Sequence, residues 1–96
     1  MREIRRSGAF KRHYKLMIKR GKDIESLDKV IKLLAYDLPL PPALKDHSLS
    51  GQYKGFRDCH VDPDWVLIYK KEELKDGQEM LSLLCLEATG THSDLF

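Results

Sequence analysis

The chain has 96 residues, and because domains typically contain about 100–150 residues this length accommodates one domain. Its composition, 42% hydrophobic and 33% charged, excludes a disordered or fibrous protein. The longest uninterrupted apolar run, Trp65–Tyr69, is far shorter than the roughly 20 residues that a membrane-spanning helix needs. No apolar stretch follows the N-terminal arginines, so the pattern of a secretory signal is missing. We therefore expect a bacterial cytoplasmic protein that forms a single domain over residues 1–96.

Positive charge is concentrated near the N-terminus. Residues 1–22 contain nine lysines and arginines against one acid, a net charge of +8, and the rest contains eight basic against fourteen acidic residues, a net charge of −6. The whole chain therefore has a net charge of only +2. A basic segment on an otherwise acidic chain favours a polyanionic partner such as a phosphate backbone. A run of charge taken alone, however, more often marks a solvated helix face.

The two cysteines, Cys59 and Cys85, do not form a metal-binding pattern. A structural zinc site needs four cysteine or histidine ligands in short-spaced pairs, and no such pairs occur here. Each cysteine lies in an apolar or strand-like stretch, where a free cysteine behaves as a small hydrophobic residue. We predict that both have a structural role.

The first half of the chain predicts a short opening strand over residues 3–6 followed by two amphipathic helices. The first helix is predicted to begin near Ser7 and to stop at Gly21. Asp23 is the predicted N-cap of the second helix, which the proline-rich segment 39–42 ends because proline lacks an amide donor. The two helices then form an antiparallel hairpin with one apolar face. The apolar stripes consist of Phe10, Tyr14, Met17 and Ile18 in the first helix and Ile24, Leu27, Val30, Ile31, Leu34 and Leu38 in the second.

Three strands are predicted in the second half, over residues 53–61, 65–71 and 80–87. Turn-forming residues at 62–64 and 75–77 separate the neighbouring strands and favour antiparallel pairing. The middle strand is apolar on both faces, as expected of a central strand. The predicted fold class is therefore α+β, with a two-helix hairpin packed on a small antiparallel sheet in the order βααβββ.

Three histidines, His47, His60 and His92, lie near predicted strand ends or loops, and Asp64 follows His60 across a turn. Imidazoles exchange protons near neutral pH, so these residues suit general acid–base chemistry if the fold brings them together. The same side chains are also a reasonable ligand set for zinc or manganese, although no closely spaced histidine pair pre-forms half of a site. Isolated histidines are more often plain surface or core residues, and the three interpretations remain open from the residues alone.

Cations and aromatic side chains near these histidines suit nucleic-acid binding. Lys54 and Arg57 add capacity for phosphate contacts, which position a nucleic acid without reading its sequence. Aromatic rings offer stacking faces worth about 1–3 kcal/mol per stacked base. We expect Trp65, which opens the most apolar strand, to lie mainly in the core, and Phe96 to be either docked over a groove or loose. The aromatic candidates are Tyr53, Phe56, Trp65 and Phe96.

Three segments carry a family resemblance: residues 45–51, with Lys-Asp-His-x-Leu-x-Gly; residues 54–65, with Lys-Gly-Phe-Arg-Asp-Cys-His-Val-Asp-Pro-Asp-Trp; and residues 89–96, with Thr-Gly-Thr-His-Ser-Asp-Leu-Phe. With the order of elements and the proline-rich break, they resemble the YafQ branch of the RelE/ParE toxin superfamily along essentially the whole chain. The resemblance implies a RelE-like fold and a type II toxin that acts as a ribosome-dependent endoribonuclease and cuts mRNA in the ribosomal A site. It also implies cleavage without metal or other cofactor, by attack of the 2′-hydroxyl on the neighbouring phosphate to leave a 2′,3′-cyclic phosphate.

The resemblance implies roles for individual residues. We expect His92 on one side of the scissile phosphate and His60, oriented by Asp64, on the other, with the base and the acid left unassigned. The implied catalytic set is His47, His60, Asp64 and His92. The implied RNA-binding residues are Trp65, Phe96, Lys54 and Arg57, with Lys11, Arg12 and Lys15 of the basic N-terminal segment as candidates for contacts with ribosomal RNA.

One position departs from the family pattern, because Ala88 occupies the place where these toxins usually have an arginine. An arginine donates a bidentate pair of hydrogen bonds to a phosphate, which alanine cannot replace. Losing one preorganised donor commonly costs about 10²–10³ in rate, so an impaired nuclease is expected. Ala88 is either an engineered substitution that allows a toxic ribonuclease to be produced without its antitoxin, or a natural variation in which Lys54 or Arg57 replaces the arginine.

The resemblance also implies a protein partner, a DinJ-like ribbon-helix-helix antitoxin whose complementary segment neutralises the basic RNA-binding face. The main alternative is a ParE-like toxin of the same fold that binds DNA gyrase and cuts no RNA, although that branch lacks the acid–base residues. A metal-dependent nuclease and an inert remnant that only binds its antitoxin are the remaining alternatives.

Overall fold

The computed structural model describes all 96 residues, which form five strands, three α-helices and two 3₁₀ segments. None of the helices has the length and apolar character needed to cross a membrane. The elements are β1 (Glu3–Arg6), α1 (Gly8–Lys19), α2 (Ile24–Ala35), a 3₁₀ segment (Pro42–Leu44), β2 (His47–Ser48), a second 3₁₀ segment (Gly51–Tyr53), β3 (Arg57–Asp62), β4 (Trp65–Asp76), β5 (Glu79–Gly90) and α3 (His92–Leu95).

The strands form one sheet in the order β1-β5-β4-β3-β2, with the helix pair on one face. The predicted α+β class is confirmed, but the sheet is mixed rather than wholly antiparallel because β1 pairs with β5 in parallel. A parallel pair requires a crossover connection. The chain supplies one, since it leaves β1 through both helices, enters the sheet at the opposite edge and returns through β5 to the side of β1.

The predicted limits of α1 are confirmed by its caps. The Ser7 hydroxyl accepts a hydrogen bond from the Phe10 amide (2.9 Å), and Gly21 after the last turn has a positive φ of 76°, which favours glycine. Asp23 is the N-cap of α2, as predicted. Its carboxylate accepts the Ser26 hydroxyl (2.9 Å) instead of a backbone amide.

Several predicted details are wrong. The helix α2 ends at Ala35, because Asp37 adopts a positive φ of 56° before the first proline is reached. Leu38 therefore lies outside the helix, and both Leu38 and Ile18 are 51% exposed although they were assigned to the apolar stripes. Tyr53 lies in a 3₁₀ segment rather than in a strand.

The strands β4 and β5 are longer than predicted because they pair without interruption from the core to an exposed tip. The register runs from Val66 opposite Gly90 to Asp76 opposite Glu79, with one irregularity beside Ile68. The outer part of β4, residues 72–76, is strongly charged and lacks the apolar signal of a strand, so only its pairing with β5 reveals it as one. Gly77 makes the turn with a positive φ of 64°.

Two apolar clusters lie on opposite faces of the sheet, because successive strand side chains point to opposite sides. The larger cluster fills the space under α1 and α2 and includes Trp65, whose Nε1 donates to the Thr89 hydroxyl (2.8 Å). Cys59 lies in the same cluster, where burial raises the pKa of its thiol to about 12, and both cysteines are free. The smaller cluster consists of Val66, Ile68, Ala88 and Leu95, flanked by Leu49, Tyr53 and Phe56.

An ion-pair cluster ties the end of α2 to the sheet. One carboxylate oxygen of Asp37 accepts hydrogen bonds from Lys71 Nζ and from Arg2 Nε, each at 2.8 Å. These bonds, with that from Lys71 the stronger, lower the pKa of Asp37 to about 2. Arg2 also pairs with Glu73 at 2.7 Å, so β1, α2 and the β4–β5 hairpin meet at this cluster.

We expect this cluster to make the fold acid-labile. Because the pKa of Asp37 is lower in the folded than in the unfolded chain, its contribution to the free energy of unfolding is present above about pH 4 and is lost as the pH falls toward about 2. Asp37→Asn is therefore expected to be less stable at neutral pH and to lose less stability than the parent chain on acidification. Denaturant unfolding at a series of pH values measures both effects.

The control for this experiment is Asp76→Asn, which removes one carboxylate from the far end of β4. It should retain the parent's dependence on pH. Parallel stability–pH curves for Asp37→Asn and the parent would contradict the assignment.

Candidate active site

The three histidines that the sequence singles out converge at one end of the sheet. His47 lies on β2, His60 on β3, and His92 is the first residue of α3. The ring centroids of His47 and His60 are 6.5 Å apart, and those of His60 and His92 are 5.3 Å apart. The condition for cooperative acid–base chemistry, that the fold brings the rings together, is therefore met.

Asp64 is the partner of His92 and not of His60. Its Oδ1 lies 3.2 Å from His92 Nδ1 and accepts the His92 backbone amide at 3.4 Å. Both hydrogen bonds lower the pKa of Asp64, and the bond from the His92 side chain has the larger effect. The prediction that Asp64 orients His60 is wrong because the turn after β3 directs the carboxylate toward the start of α3. A carboxylate only accepts, so Nδ1 of His92 carries the proton and Nε2 faces away from Asp64.

The ring of His47 has two acceptors at the same nitrogen. Its Nδ1 lies 2.8 Å from the Lys45 carbonyl oxygen and 3.0 Å from Asp58 Oδ1. Both neighbours are acceptors, so Nδ1 carries a proton and the Nε2 lone pair of the neutral ring is available as a base. The hydrogen-bond geometry favours the carbonyl, which leaves Asp58 Oδ1 without a hydrogen bond.

Asp58 is a residue of this site that the sequence analysis missed. Its side chain is only 4% exposed, and it lies opposite His47 in the β2–β3 pair. Burial raises the pKa of Asp58, while the charges of the three histidines act in the opposite sense. A usable signal was present, because Asp58 and His60 are two residues apart on one strand and therefore share a face of the sheet.

His60 differs from the two outer histidines in having no carboxylate partner. Its ring lies between those of His47 and His92 and is half-buried. The remaining histidine of the chain, His13, is outside the cluster, and its Nδ1 accepts the Thr89 amide at 3.4 Å. His13 thus links α1 to β5, and His47, His60 and His92 are the remaining candidates for acid–base chemistry.

The turn that carries His92 is held in place by Asp94. The Asp94 carboxylate receives two hydrogen bonds from the Arg20 guanidinium (2.7 and 3.2 Å) and one from the Thr91 amide (2.9 Å). These bonds, led by that from Arg20, hold the pKa of Asp94 well below its usual range. Gly90 permits the close approach, since a Cβ there would lie 3.0 Å from Asp94 Oδ2. Leu95 completes the attachment by entering the smaller cluster.

The two aromatic residues proposed to bind RNA have different positions. Phe96 is 60% exposed, with its ring 6.0 Å from that of His92 and 5.8 Å from Tyr53 in an edge-on arrangement, so it is docked beside the histidines. Trp65 is 1% exposed and cannot stack on a base. This burial contradicts a direct RNA contact for Trp65 and confirms the expectation that it lies mainly in the core.

The candidate phosphate-binding residues are dispersed. The guanidinium of Arg57 is held by the Asp46 carboxylate through two hydrogen bonds (3.1 and 3.2 Å), which raise its pKa, and Lys54 is exposed. Ala88 is 2% exposed within the smaller cluster, so this position offers the site no polar group. The N-terminal candidates Lys11, Arg12 and Lys15 all lie exposed on α1.

The arrangement of the histidines is suited to proton transfer. No group of three or more His, Cys, Asp or Glu side chains is placed to hold a metal ion. The outer histidines each have Nδ1 directed to a carboxylate or carbonyl oxygen, which leaves both Nε2 atoms available for proton transfer to a bound substrate.

Comparison with known proteins agrees with the fold. The chain matches the family described as bacterial toxin of type II toxin-antitoxin system, YafQ, over residues 2–96. The mRNA interferase toxin YafQ of Escherichia coli strain K12 is 46% identical over 96 residues, which cover 99% of this chain and 96% of that protein. The chain therefore belongs to the YafQ family of type II toxins.

Two solved structures of relatives share the architecture. The crystal structure of YafQ from E. coli strain BL21(DE3) has 46% identity and a TM-score of 0.83, covering 100% of this chain and 99% of that chain. The toxin chain of the E. coli DinJ–YafQ toxin–antitoxin complex has 48% identity and a TM-score of 0.81, covering 99% of this chain and 97% of that chain.

The Arg20–Asp94 ion pair predicts a measurable local effect. Arg20→Gln removes the charge that holds Asp94, so residues 91–96 should open more often while the sheet is unchanged. Hydrogen exchange of the Phe96 amide, which donates to the His92 carbonyl (2.9 Å), should become several-fold faster.

Arg5→Gln is the matched control, because it breaks an exposed ion pair with Glu3 on β1. It should leave exchange at the C-terminus unchanged. If the Phe96 amide exchanges at the same rate in Arg20→Gln as in the parent chain, the Arg20–Asp94 ion pair does not hold residues 91–96 in place.

Proposed function

We propose that the protein is a ribosome-dependent endoribonuclease that cleaves mRNA in the ribosomal A site through attack of an RNA 2′-hydroxyl, without a metal cofactor. The observation that carries the proposal is the row of three histidine rings, with centroid separations of 6.5 and 5.3 Å. The mRNA interferase name of the E. coli relative supports the same substrate class.

The chemistry requires one base and one acid on opposite sides of a phosphate. We assign proton acceptance from the 2′-hydroxyl to the pair His47 and His60, which share the sheet surface. We assign proton donation to His92 on α3, whose ring centroid is 5.3 Å from that of His60. As the 2′-oxygen bonds to phosphorus, the bond to the 5′-oxygen breaks and that oxygen takes the Nε2 proton of a charged His92 ring, whose Nδ1 proton stays hydrogen-bonded to Asp64. The products are a 2′,3′-cyclic phosphate and a 5′-hydroxyl end.

Two features support an RNA rather than a small-molecule substrate. Phe96 presents an accessible ring beside His92, where a base of the RNA can stack. The histidines lie on an open surface at the end of the sheet, and His47 and His92 are themselves exposed. A site of this kind depends on a larger assembly to position the chain being cut, which is consistent with action on the ribosome.

We propose that activity is controlled by a cognate ribbon-helix-helix antitoxin resembling DinJ. The E. coli relative was crystallised in a DinJ–YafQ complex. The basic N-terminal segment of this chain, with a net charge of +8, offers a surface that an acidic segment can neutralise.

Cleavage of mRNA on programmed ribosomes tests the proposal. With excess chelator present, the protein should yield cyclic-phosphate ends, and His92→Gln should lower the single-turnover rate about 10²–10⁴-fold because the general acid is lost. Ser93→Ala, a change at the adjacent exposed residue, is the control and should leave the rate unchanged.

Other outcomes of this test are informative. Restoration of activity only by added metal would replace the proposal with a metal-dependent nuclease. Absence of cleavage, combined with inhibition of DNA gyrase, would replace it with the ParE-like binding toxin.

The buried Ala88 leads to a separate prediction. We propose that the missing arginine lowers the cleavage rate, so Ala88→Arg should raise it about 10²–10³-fold. The longer side chain must pass out of the smaller cluster, and such overpacking costs about 1–3 kcal/mol of stability. Rates must therefore be compared at equal concentrations of folded protein, measured by near-UV circular dichroism. An unchanged rate for folded Ala88→Arg would make the arginine dispensable and remove the argument for an inactivated chain.

We further propose that Lys11, Arg12 and Lys15 contact ribosomal RNA. Replacing all three by glutamate should weaken ribosome binding and reduce the slope of log Kd against log salt by about 2–3, one counterion contribution per lost phosphate contact. The same charge change at Lys29, Lys32 and Lys75, exposed residues outside the N-terminal segment, is the control. An unchanged slope in the first variant would reject the contact.

A further inference from the structure

Asp58 is the one charged residue in the buried interior of the protein, at 3% exposure. Its Oδ1 has no hydrogen-bond partner, which is rare for a buried polar atom. A buried carboxylate oxygen without a hydrogen bond destabilises the fold, and replacing it with a neutral group of the same shape would remove that penalty. The stability of the fold therefore does not explain why an aspartate occupies this position.

The surroundings of Asp58 point to the histidines. Its cross-strand partner is His47, whose Nδ1 is 3.0 Å from the unpaired Oδ1. His60 follows two residues later on the same face of β3, and the charge of His92 also reaches the carboxylate. Asp46, on the segment before β2, is a nearby charge of the same sign and raises the pKa of Asp58. Asp58 is thus buried beside His47 and lies within the electrostatic range of all three candidate catalytic rings.

We propose that Asp58 is a positioning residue that stabilises the positive charge His47 acquires when it accepts a proton from the RNA 2′-hydroxyl. The inference rests on the proposed function. In the neutral ring the Nδ1 proton bonds to the Lys45 carbonyl. When Nε2 takes the substrate proton, the ring becomes a cation whose Nδ1 is already 3.0 Å from a buried carboxylate oxygen. The His47 side chain is itself 54% exposed, so solvent screens the attraction from the side of the ring only.

The carboxylate partner of His47 is buried, whereas the carboxylate partner of His92 is exposed. Asp64 is well exposed, with 66% of its side chain accessible, so solvent weakens its attraction for the ring of His92. Asp58 is 4% exposed at its side chain and keeps one oxygen without a partner. Because no other group donates a hydrogen bond to this oxygen, it can accept one from the charged ring of His47. Asp58 makes no contact with the reacting atoms and acts through His47.

Asp58→Asn tests the proposal because it keeps the shape and removes the charge. In ribosome-dependent cleavage we expect kcat to fall about 10–100-fold while KM changes less than about twofold, since only the charged state of His47 is affected. Stability should be unchanged or increased, because a buried unpaired charge is removed. Asp76→Asn, at the exposed end of β4, is the control and should alter neither quantity.

A double-mutant cycle with His47→Ala separates this role from a structural one. If Asp58 acts through His47, Asp58→Asn should cause no further loss of rate in the His47→Ala background. An equal loss in both backgrounds would overturn the inference. The inference would also be overturned if the fall in kcat of Asp58→Asn were matched by an equal fall in its folded fraction.

A second cycle keeps the inference testable if the protein does not cut RNA at all. The same two substitutions are compared in denaturant unfolding at pH about 5.5 and about 8. Coupling between Asp58 and His47 should be larger at the lower pH, because lowering the pH favours the charged form of an imidazole. Absence of cleavage with this coupling present would refute the proposed function and uphold the Asp58–His47 interaction, whereas absence of coupling at both pH values would refute the interaction itself.

Discussion

Burial of β4 on both faces is the constraint on which the rest of the structure depends. Trp65, Leu67 and Tyr69 enter the large cluster under the helices, whereas Val66 and Ile68 enter the smaller cluster on the other face. Because strand side chains alternate, this one strand sets the register of β3 and β5 and decides which of their residues face the helices. The catalytic candidates of β3 are consequently on the face of the smaller cluster, away from the helix pair.

The smaller cluster supports a site that is assembled from short elements. β2 has only two residues and α3 only four, so neither would persist without contacts elsewhere. α3 is attached by the burial of Leu95 and by the bonds of Asp94, and β2 by its pairing with β3. The two outer histidines lie on these marginal elements, while His60 lies on a strand with neighbours on both sides. The geometry of this site therefore depends on a few tertiary contacts, namely the burial of Leu95, the bonds of Asp94 and the β2–β3 pairing, rather than on the short elements themselves.

Ala88 is an ordinary small core residue in this structure. It lies opposite Ile68 in the β4–β5 pair and packs in the smaller cluster. Nothing in the packing requires a charged group there, so a buried alanine at this position is compatible with the fold.

The sequence by itself determined the local features of this protein. Helical periodicity and the caps at Ser7 and Asp23 are properties of neighbouring residues, and they predicted both helices and the α+β class. The Lys-Asp-His segment, the motif around His60 and the Thr-Gly-Thr-His segment likewise identified the family and three candidate histidines, because residue type and spacing are written directly in the chain.

Tertiary structure decided what depends on distant parts of the chain. The parallel pairing of β1 with β5 follows from a crossover through both helices, and the charged outer part of β4 is a strand only because β5 lies beside it. The pairing of Asp64 with His92 depends on how α3 folds back. The importance of Asp58 depends on burial, since an aspartate is an ordinary surface residue until the β2–β3 pair encloses it beside His47. Local sequence predicts conformation, whereas the partner of a charge and its separation from water are set only when the elements pack.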